Sequence, residues 1–248
     1  MRHTFALIIP ALDEGESIGI LISRLPRELF AQIIVVDNGS RDATATVAAA
    51  AGADVVCEPR RGYGQACLAG IQRLYPQITA VAFMDGDLSD DPEDLARMVR
   101  CFDQDEWDLV LGSRVRGRLE AGSLTPMQRF GNWLSTRLIA LVWNVRFTDL
   151  GPLRIIRRDS LAQLDLRDRT FGWNVEMQAR AAQLGLRVRE LPVHYGRRVH
   201  GRSKISGTVT GSVRAGFKIL WTIFRCGVLP LPVSSRGRRT QPRTDPFI

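Results

Sequence analysis

Residues 79–92 read Thr79-Ala-Val-Ala-Phe-Met84-Asp85-Gly86-Asp87-Leu88-Ser89-Asp90-Asp91-Pro92. A short apolar run without polar alternation predicts a strand buried on both faces. It ends on two carboxylates separated by one glycine. Acids held side by side at the carboxyl edge of a sheet repel each other. A hard divalent cation bridging to phosphate oxygens relieves that repulsion with the oxygen ligands it prefers. Gly86 is expected to let the backbone approach such a ligand closely. The tripeptide alone also reads as a turn with solvated acids, so the decision rests on its neighbours.

Three earlier runs supply that context. Phe5–Ile9 is apolar and closes on Pro10-Ala-Leu12-Asp13-Glu14, followed by the helix-start chemistry of Ser17. Gln32–Val36 ends in Asp37-Asn38-Gly39-Ser40 and leads into an alanine-rich helix. Asp54–Cys57 leads to Arg60-Arg61-Gly62-Tyr63-Gly64 and a further helix. Strands alternating with helices at this spacing predict a mostly parallel, Rossmann-like α/β sheet with helices on both faces. Ligands bind at the carboxyl ends of such strands, where these acid- and glycine-bearing loops would lie.

The loops resemble, in order and in type, those of the family 2 glycosyltransferases of the GT-A fold, and among them the polyprenyl- and dolichyl-phosphate hexose synthases. The resemblance covers roughly residues 4–224. It implies that Pro10, Leu12 and Glu14, with Asp37 and Asn38, hold a nucleoside, and that Asp85 and Asp87 hold Mg2+ or Mn2+ against the donor diphosphate. Gly62, Gly64, Gly86, Ser89 and Arg114 join the donor side. An Arg-X-X-Gly-X-Ser-Lys element, here Arg198 to Lys204, would meet phosphates. Leu12 stands where many relatives carry an aromatic or polar residue, so the base is not specified. Thr148-Asp149-Leu-Gly151-Pro-Leu-Arg154 matches an acceptor-side element in which the small residue and the aromatic are replaced.

Composition permits this reading. The chain has 248 residues, 45% of them hydrophobic, enough for a substantial core. Cys57, Cys67, Cys101 and Cys226 lack metal-ligand spacing, which implies inert thiols in a reducing, cytosolic setting. No secretory leader is expected before the first strand, and uncharged stretches such as Ala43–Ala53 are too short to span a bilayer.

Charge divides the chain. Residues 1–111 hold nine Arg against 18 acids, net −9; residues 112–248 hold 25 Lys and Arg against eight acids, net +17; together these give +8. An acidic half that collects metal and a basic half that collects anions suit transfer between phosphate-bearing substrates, and a basic face favours an anionic membrane surface. The acidic loops and the lack of a recognised binding module weigh against nucleic acid.

Two amphipathic segments extend the membrane reading. In Phe130–Val145 an apolar stripe runs through Phe130, Trp133, Leu138 and Leu141, with Ile139 and Trp143 opposite. In Thr208–Arg225, Val209, Val213, Phe217, Leu220 and Phe224 share a side, and Arg214, Lys218 and Arg225 are expected at lipid headgroups. Core packing or oligomer contact accounts for the same stripes. The division expected is a glycosyltransferase domain over 1–206, an amphipathic membrane-associated helix over 207–229 and a disordered basic tail over 230–248.

The resulting expectation is an inverting, metal-dependent enzyme at the cytoplasmic face of a membrane, moving a hexose from a nucleotide sugar to a polyprenyl phosphate. Asp87, Arg198 and Lys204 would carry charge neutralisation, and Glu176, at the start of a helix, would act as base if the acceptor were a hydroxyl. A hydroxyl acceptor on the same fold is the first alternative. A sugar-phosphate nucleotidyltransferase is the second, although Leu12-Asp13-Glu14 stands where its Gly-rich, cationic loop would be. Arg60, Arg61, His194 and His200 are secondary candidates for phosphate contact.

Overall fold

The computed structural model describes residues 2–199 and 209–228, with side chains of the last helix from 218 to 227. Its centre is a seven-stranded sheet: β1 (Phe5–Ala11), β2 (Phe30–Asp37), β3 (Asp54–Cys57), β4 (Ala80–Phe83), β5 (Leu109–Leu119), β6 (Arg154–Arg157) and β7 (Val188–Tyr195), in the order β3-β2-β1-β4-β6-β5-β7. β1 lies parallel to β2 and β4, with Ile8 beside both Ile34 and Phe83. β6 alone among these strands runs antiparallel to its neighbours, placing Arg154 beside Phe83 and Leu111. The expected mostly parallel sheet is therefore present, with an antiparallel strand inserted after β4.

Helices cover both faces. α1 (Ile18–Arg24), α2 (Thr44–Ala50) and α4 (Pro92–Gln104) pack over one core, which includes Leu7, Ile9, Ile22, Met98 and Phe102. α3 (Tyr63–Ile71), α5 (Pro126–Trp143), α6 (Arg158–Gln163) and α7 (Trp173–Leu184) cover the other, which includes Ile8, Phe83, Ile139, Leu161 and Trp173. Alternate residues of β1 thus enter different cores, the physical reason that its sequence shows no polar alternation. α8 (Val209–Val228) packs beside α5 and α7.

Local chemistry fixes the ends of the longer helices. Asp91 caps α4 by accepting from Glu93 N–H at 2.9 Å, with Pro92 in the first turn. Thr125 and Gln128 form a reciprocal capping box on α5, which ends at Asn144 in the left-handed conformation. Because β1, β2 and β4 are parallel, the loops at their carboxyl ends share one edge of the sheet.

Candidate active site

A cleft of about 520 Å3 lies at that edge, lined by Pro10, Leu12, Glu14, Asn38, Arg61, Gly62, Tyr63, Asp85, Gly86, Asp87, Thr170, Phe171 and Arg198 among others. The first two loops are laced together. Asp13 N–H donates to Ser40 Oγ at 2.9 Å, Arg41 N–H to Asp13 Oδ1 at 2.8 Å, and Glu14 N–H to Thr44 Oγ1 at 2.8 Å. Asn38 ties in the third: its amide donates to the carbonyls of Glu58 and Arg60 at 2.9 and 2.8 Å and accepts from Gly62 N–H at 2.7 Å. The fourth contributor is the segment before α7. A Cβ on Gly62 or Gly64 would stand 2.1 Å from Arg169 O or 2.0 Å from Asp168 O, so glycine is required for α3 to begin against that segment.

The carboxylate pair lies where this cleft meets a second one. Asp85 Oδ1 is buried without a hydrogen-bond partner, and burial, then the charge of Asp87, push its carboxyl up to about 7. Asp87 Oδ1 accepts from Ser89 N–H at 3.0 Å, while Oδ2 meets Arg198 Nη2 at 2.9 Å. Arg198 Nη1 also reaches Glu14 Oε1 at 2.5 Å, so one guanidinium bridges two cleft carboxylates. Leu88, directly after the pair, is held at φ 64°, strain that a branched side chain tolerates only where its surroundings impose it. An orphaned, buried carboxylate oxygen beside a second carboxylate is a donor set that fits a hard divalent metal, and the Arg198 guanidinium occupies part of it. A Cβ on Gly86 would meet Ile9 no closer than 3.5 Å; the chain's own packing does not demand glycine there.

The second cavity, about 450 Å3, shares Tyr63, Asp85, Asp87, Phe171 and Arg198 with the first. It adds Ser89, Arg114, Thr125, Gln128, Asn174, Tyr195 and Arg197. Arg114 is fixed by Asp149, whose carboxylate accepts from its N–H, Nε and Nη2, each at 2.8 Å. The same guanidinium stacks over the Tyr195 ring at 4.9 Å. Glu190 supports Asp149 by accepting from Thr148 N–H and Oγ1 at 2.9 Å, and Gln178 Nε2 donates to Asp149 O at 2.9 Å. Burial opposes charge on Arg114, but the paired Asp149 outweighs it and holds the group cationic.

Several residues singled out in the sequence stand elsewhere. Asp37 does not line the cleft; it accepts from Ser40 N–H at 3.1 Å and shapes the turn. Gly64 serves packing, and Arg114 lies in the second cavity rather than along the first. Arg60 turns outward and pairs with Glu58 at 3.0 Å. His194 is engaged through its backbone by Asp94 and lines neither cavity. Lys204 and His200 lie outside the described residues.

Glu176, expected to act as a base only toward a hydroxyl acceptor, is enclosed. It is 0% exposed, and Oε2 accepts from the N–H groups of Arg167 and Asp168 at 2.9 and 2.6 Å, while Oε1 takes Arg225 Nη2 at 2.6 Å. A carboxylate closed to solvent and engaged by three donors holds this loop in place, the positioning role open to Glu176 when the acceptor needs no base.

Sequence reading missed Tyr63, Thr170, Phe171 and Tyr195, which line the cavities. It also missed Asp90, which lies 2% exposed with both oxygens unpartnered; burial and then Asp85 and Asp87 hold its carboxyl well above the usual range. The only available signal for Asp90 was its place three residues beyond Asp87.

An open α/β sheet whose strand ends enclose a cleft bearing paired carboxylates is the arrangement of the GT-A fold. The sequence model of Glycosyl transferase family 2 matches residues 6–165, and the chain belongs to that family. It is 40% identical over 210 residues to an uncharacterized glycosyltransferase of Mycobacterium tuberculosis, covering 84% of this chain and 93% of the relative. It is 29% identical over 222 residues to the undecaprenyl-phosphate mannosyltransferase of Micrococcus luteus, covering 82% and 88%. Among solved structures, glucosyl-3-phosphoglycerate synthase of M. tuberculosis, in complex with Mn2+, UDP and phosphoglyceric acid, superposes with a TM-score of 0.74 at 21% identity, over 92% of this chain and 80% of that one. The chain is therefore a family 2 glycosyltransferase.

Proposed function

We propose that this enzyme transfers a hexose, with inversion, from a nucleoside diphosphate to a polyprenyl phosphate at a membrane surface. One observation carries the choice of acceptor. Among the residues lining the second cavity, three are arginines, Arg114, Arg197 and Arg198, and the carboxylates are Asp85 and Asp87 alone. A phosphate nucleophile arrives ionised and needs cations to hold it; a hydroxyl needs a base, and Glu176 is sealed away. The relatives named for undecaprenyl-phosphate mannose transfer and for dodecaprenyl-phosphate galacturonate synthesis support the same acceptor class.

In the first cleft, Asn38 and the Pro10–Glu14 loop would seat the nucleoside between Tyr63 and the strand ends. Asp85 and Asp87 would hold Mg2+ or Mn2+, which when bound neutralises the charge that grows on the leaving diphosphate. Arg198, which belongs to both cavities, would hold an acceptor phosphate against the donor. Phe171, shared by both, would exclude water from the junction. A single in-line displacement across that junction inverts the sugar.

The test is nucleoside diphosphate release from a panel of UDP- and GDP-hexoses, with Mn2+ and with or without polyprenyl phosphate. Release that depends on the lipid phosphate is expected. Equal release with phosphoglyceric acid or a glycan hydroxyl, and none with the lipid, would replace this reading.

A further inference from the structure

Helix α5 is amphipathic in the wrong sense for a helix facing water. Its inward side carries Ser135, Thr136 and Ile139, while Phe130, Trp133 and Val142 are at least half exposed and Leu141 is 81% exposed. α8 lies alongside, close enough that a Cβ on Gly227 would touch Val142 at 3.6 Å. It adds exposed Leu220, Trp221 and Phe224. The aromatics pair within each helix, Phe130 with Trp133 at 5.9 Å and Trp221 with Phe224 at 5.8 Å. An apolar face of this extent on two adjacent helices has a partner.

Charge says which. Neither helix contains an Asp or Glu, and exposed Arg129, Arg137 and Arg146 punctuate or flank the outward side of α5. A second copy docking by twofold symmetry would set these arginines against the same acid-free surface, whereas anionic headgroups complement them and accept tryptophans at the same depth. Of the three α8 cations earlier assigned to headgroups, the side chain of Arg214 lies outside the described ones and the other two are used internally: Lys218 pairs with Asp168 at 3.1 Å and Arg225 with Glu176 at 2.6 Å. The face also starts at the right place. Thr125 and Gln128, at the amino end of α5, line the second cavity.

We propose that the joint outward face of α5 and α8 is the surface by which this enzyme lies on an anionic lipid bilayer, with Trp133, Leu141 and Trp221 inserted and Arg129, Arg137 and Arg146 at the headgroups. This deepens the function proposed above by stating from which side the lipid phosphate arrives, but it is testable without turnover.

The full chain, without donor or acceptor, is sedimented with vesicles of phosphatidylglycerol mixed with phosphatidylcholine, and with phosphatidylcholine alone. Preferential binding to the anionic vesicles is expected, weakened by salt. Trp133→Gln and Trp221→Gln, both at exposed positions, should each lower the vesicle partition constant about tenfold, the factor that withdrawal of one large apolar side chain corresponds to. Unchanged thermal unfolding certifies their fold. Binding that the substitutions leave unaltered overturns the proposal. So does absence of binding together with a concentration-dependent doubling of mass that they abolish, the result for a second copy. Vesicle binding that follows these rules while lipid phosphate fails to support release upholds the surface and counts against the acceptor alone.

Discussion

Arg198 holds, in the free protein, the two carboxylates Glu14 and Asp87, one of which a metal would need. A cation that must be displaced before another can bind is a competitor. Arg198→Gln is therefore expected to strengthen Mn2+ binding in the absence of nucleotide, read by electron paramagnetic resonance of the free ion, while lowering transfer by about 100-fold through loss of a phosphate donor. Asp87→Ala should abolish both metal binding and metal-dependent turnover and leave the fold intact. Asp85 adds a pH dependence. Because burial and Asp87 hold its carboxyl up at about 7, a proton occupies it below that value and a metal must expel the proton. Mn2+ affinity should thus rise as pH climbs through about 7 and level off above it, and Asp85→Asn should flatten the dependence. Asp85 and Asp87 were legible in the sequence because both the pair and its strand are local. The isolation of Asp85 Oδ1, and the bridge from Arg198 to Glu14 across 184 positions, depend on contacts no local pattern encodes.

At the scale of elements, the segment from Asp165 to Gly172 joins otherwise separate parts. Its carbonyls receive Gly64 and Gln65 N–H at 3.2 and 2.9 Å, its Thr170 and Phe171 line the cleft, and its Arg167 and Asp168 N–H groups are held by Glu176. Glu176→Gln should consequently cost stability on the order of 3 kcal/mol, since it leaves Arg225 and two amides poorly matched. Thermal unfolding would show this, while the shape of the pH–rate profile stays as it was; a selective collapse of turnover at unchanged stability would restore the base. β1, β2 and β4 were readable because burial on both faces leaves apolar runs, and the more exposed β3 because Val55-Val56 leads into the Gly62-Tyr63-Gly64 turn. The antiparallel β6 was not, since Arg154-Ile-Ile-Arg157 is four residues flanked by arginines, and Arg154 is buried by donating to the carbonyls of Gly151, Pro152 and Asn174, partners set by the fold. Helices α5 and α8 were readable in place; which of their faces turns outward was not.

For the whole molecule, the junction of the two cavities brings together carboxylates of the acidic first half and arginines of the basic second half. The first half supplies Glu14, Asp85 and Asp87 and the second supplies Arg114, Arg197 and Arg198. Raising ionic strength is expected to weaken acceptor capture more than donor capture, because an exposed phosphate held by arginines is screened whereas a buried carboxylate–metal pair is less so. The comparison of KM values for the two substrates between low and high salt measures it.

Thr125 and Gln128 line the second cavity at the amino end of α5, the helix whose outward face is proposed to lie along the lipid. An enzyme seated in this way searches for its acceptor in two dimensions and releases its product into the same leaflet, without lifting a polyprenyl chain through water. Its velocity should follow the surface density of polyprenyl phosphate and not the bulk concentration: diluting the acceptor with inert lipid at constant total acceptor slows the reaction, and concentrating it into fewer vesicles restores the rate.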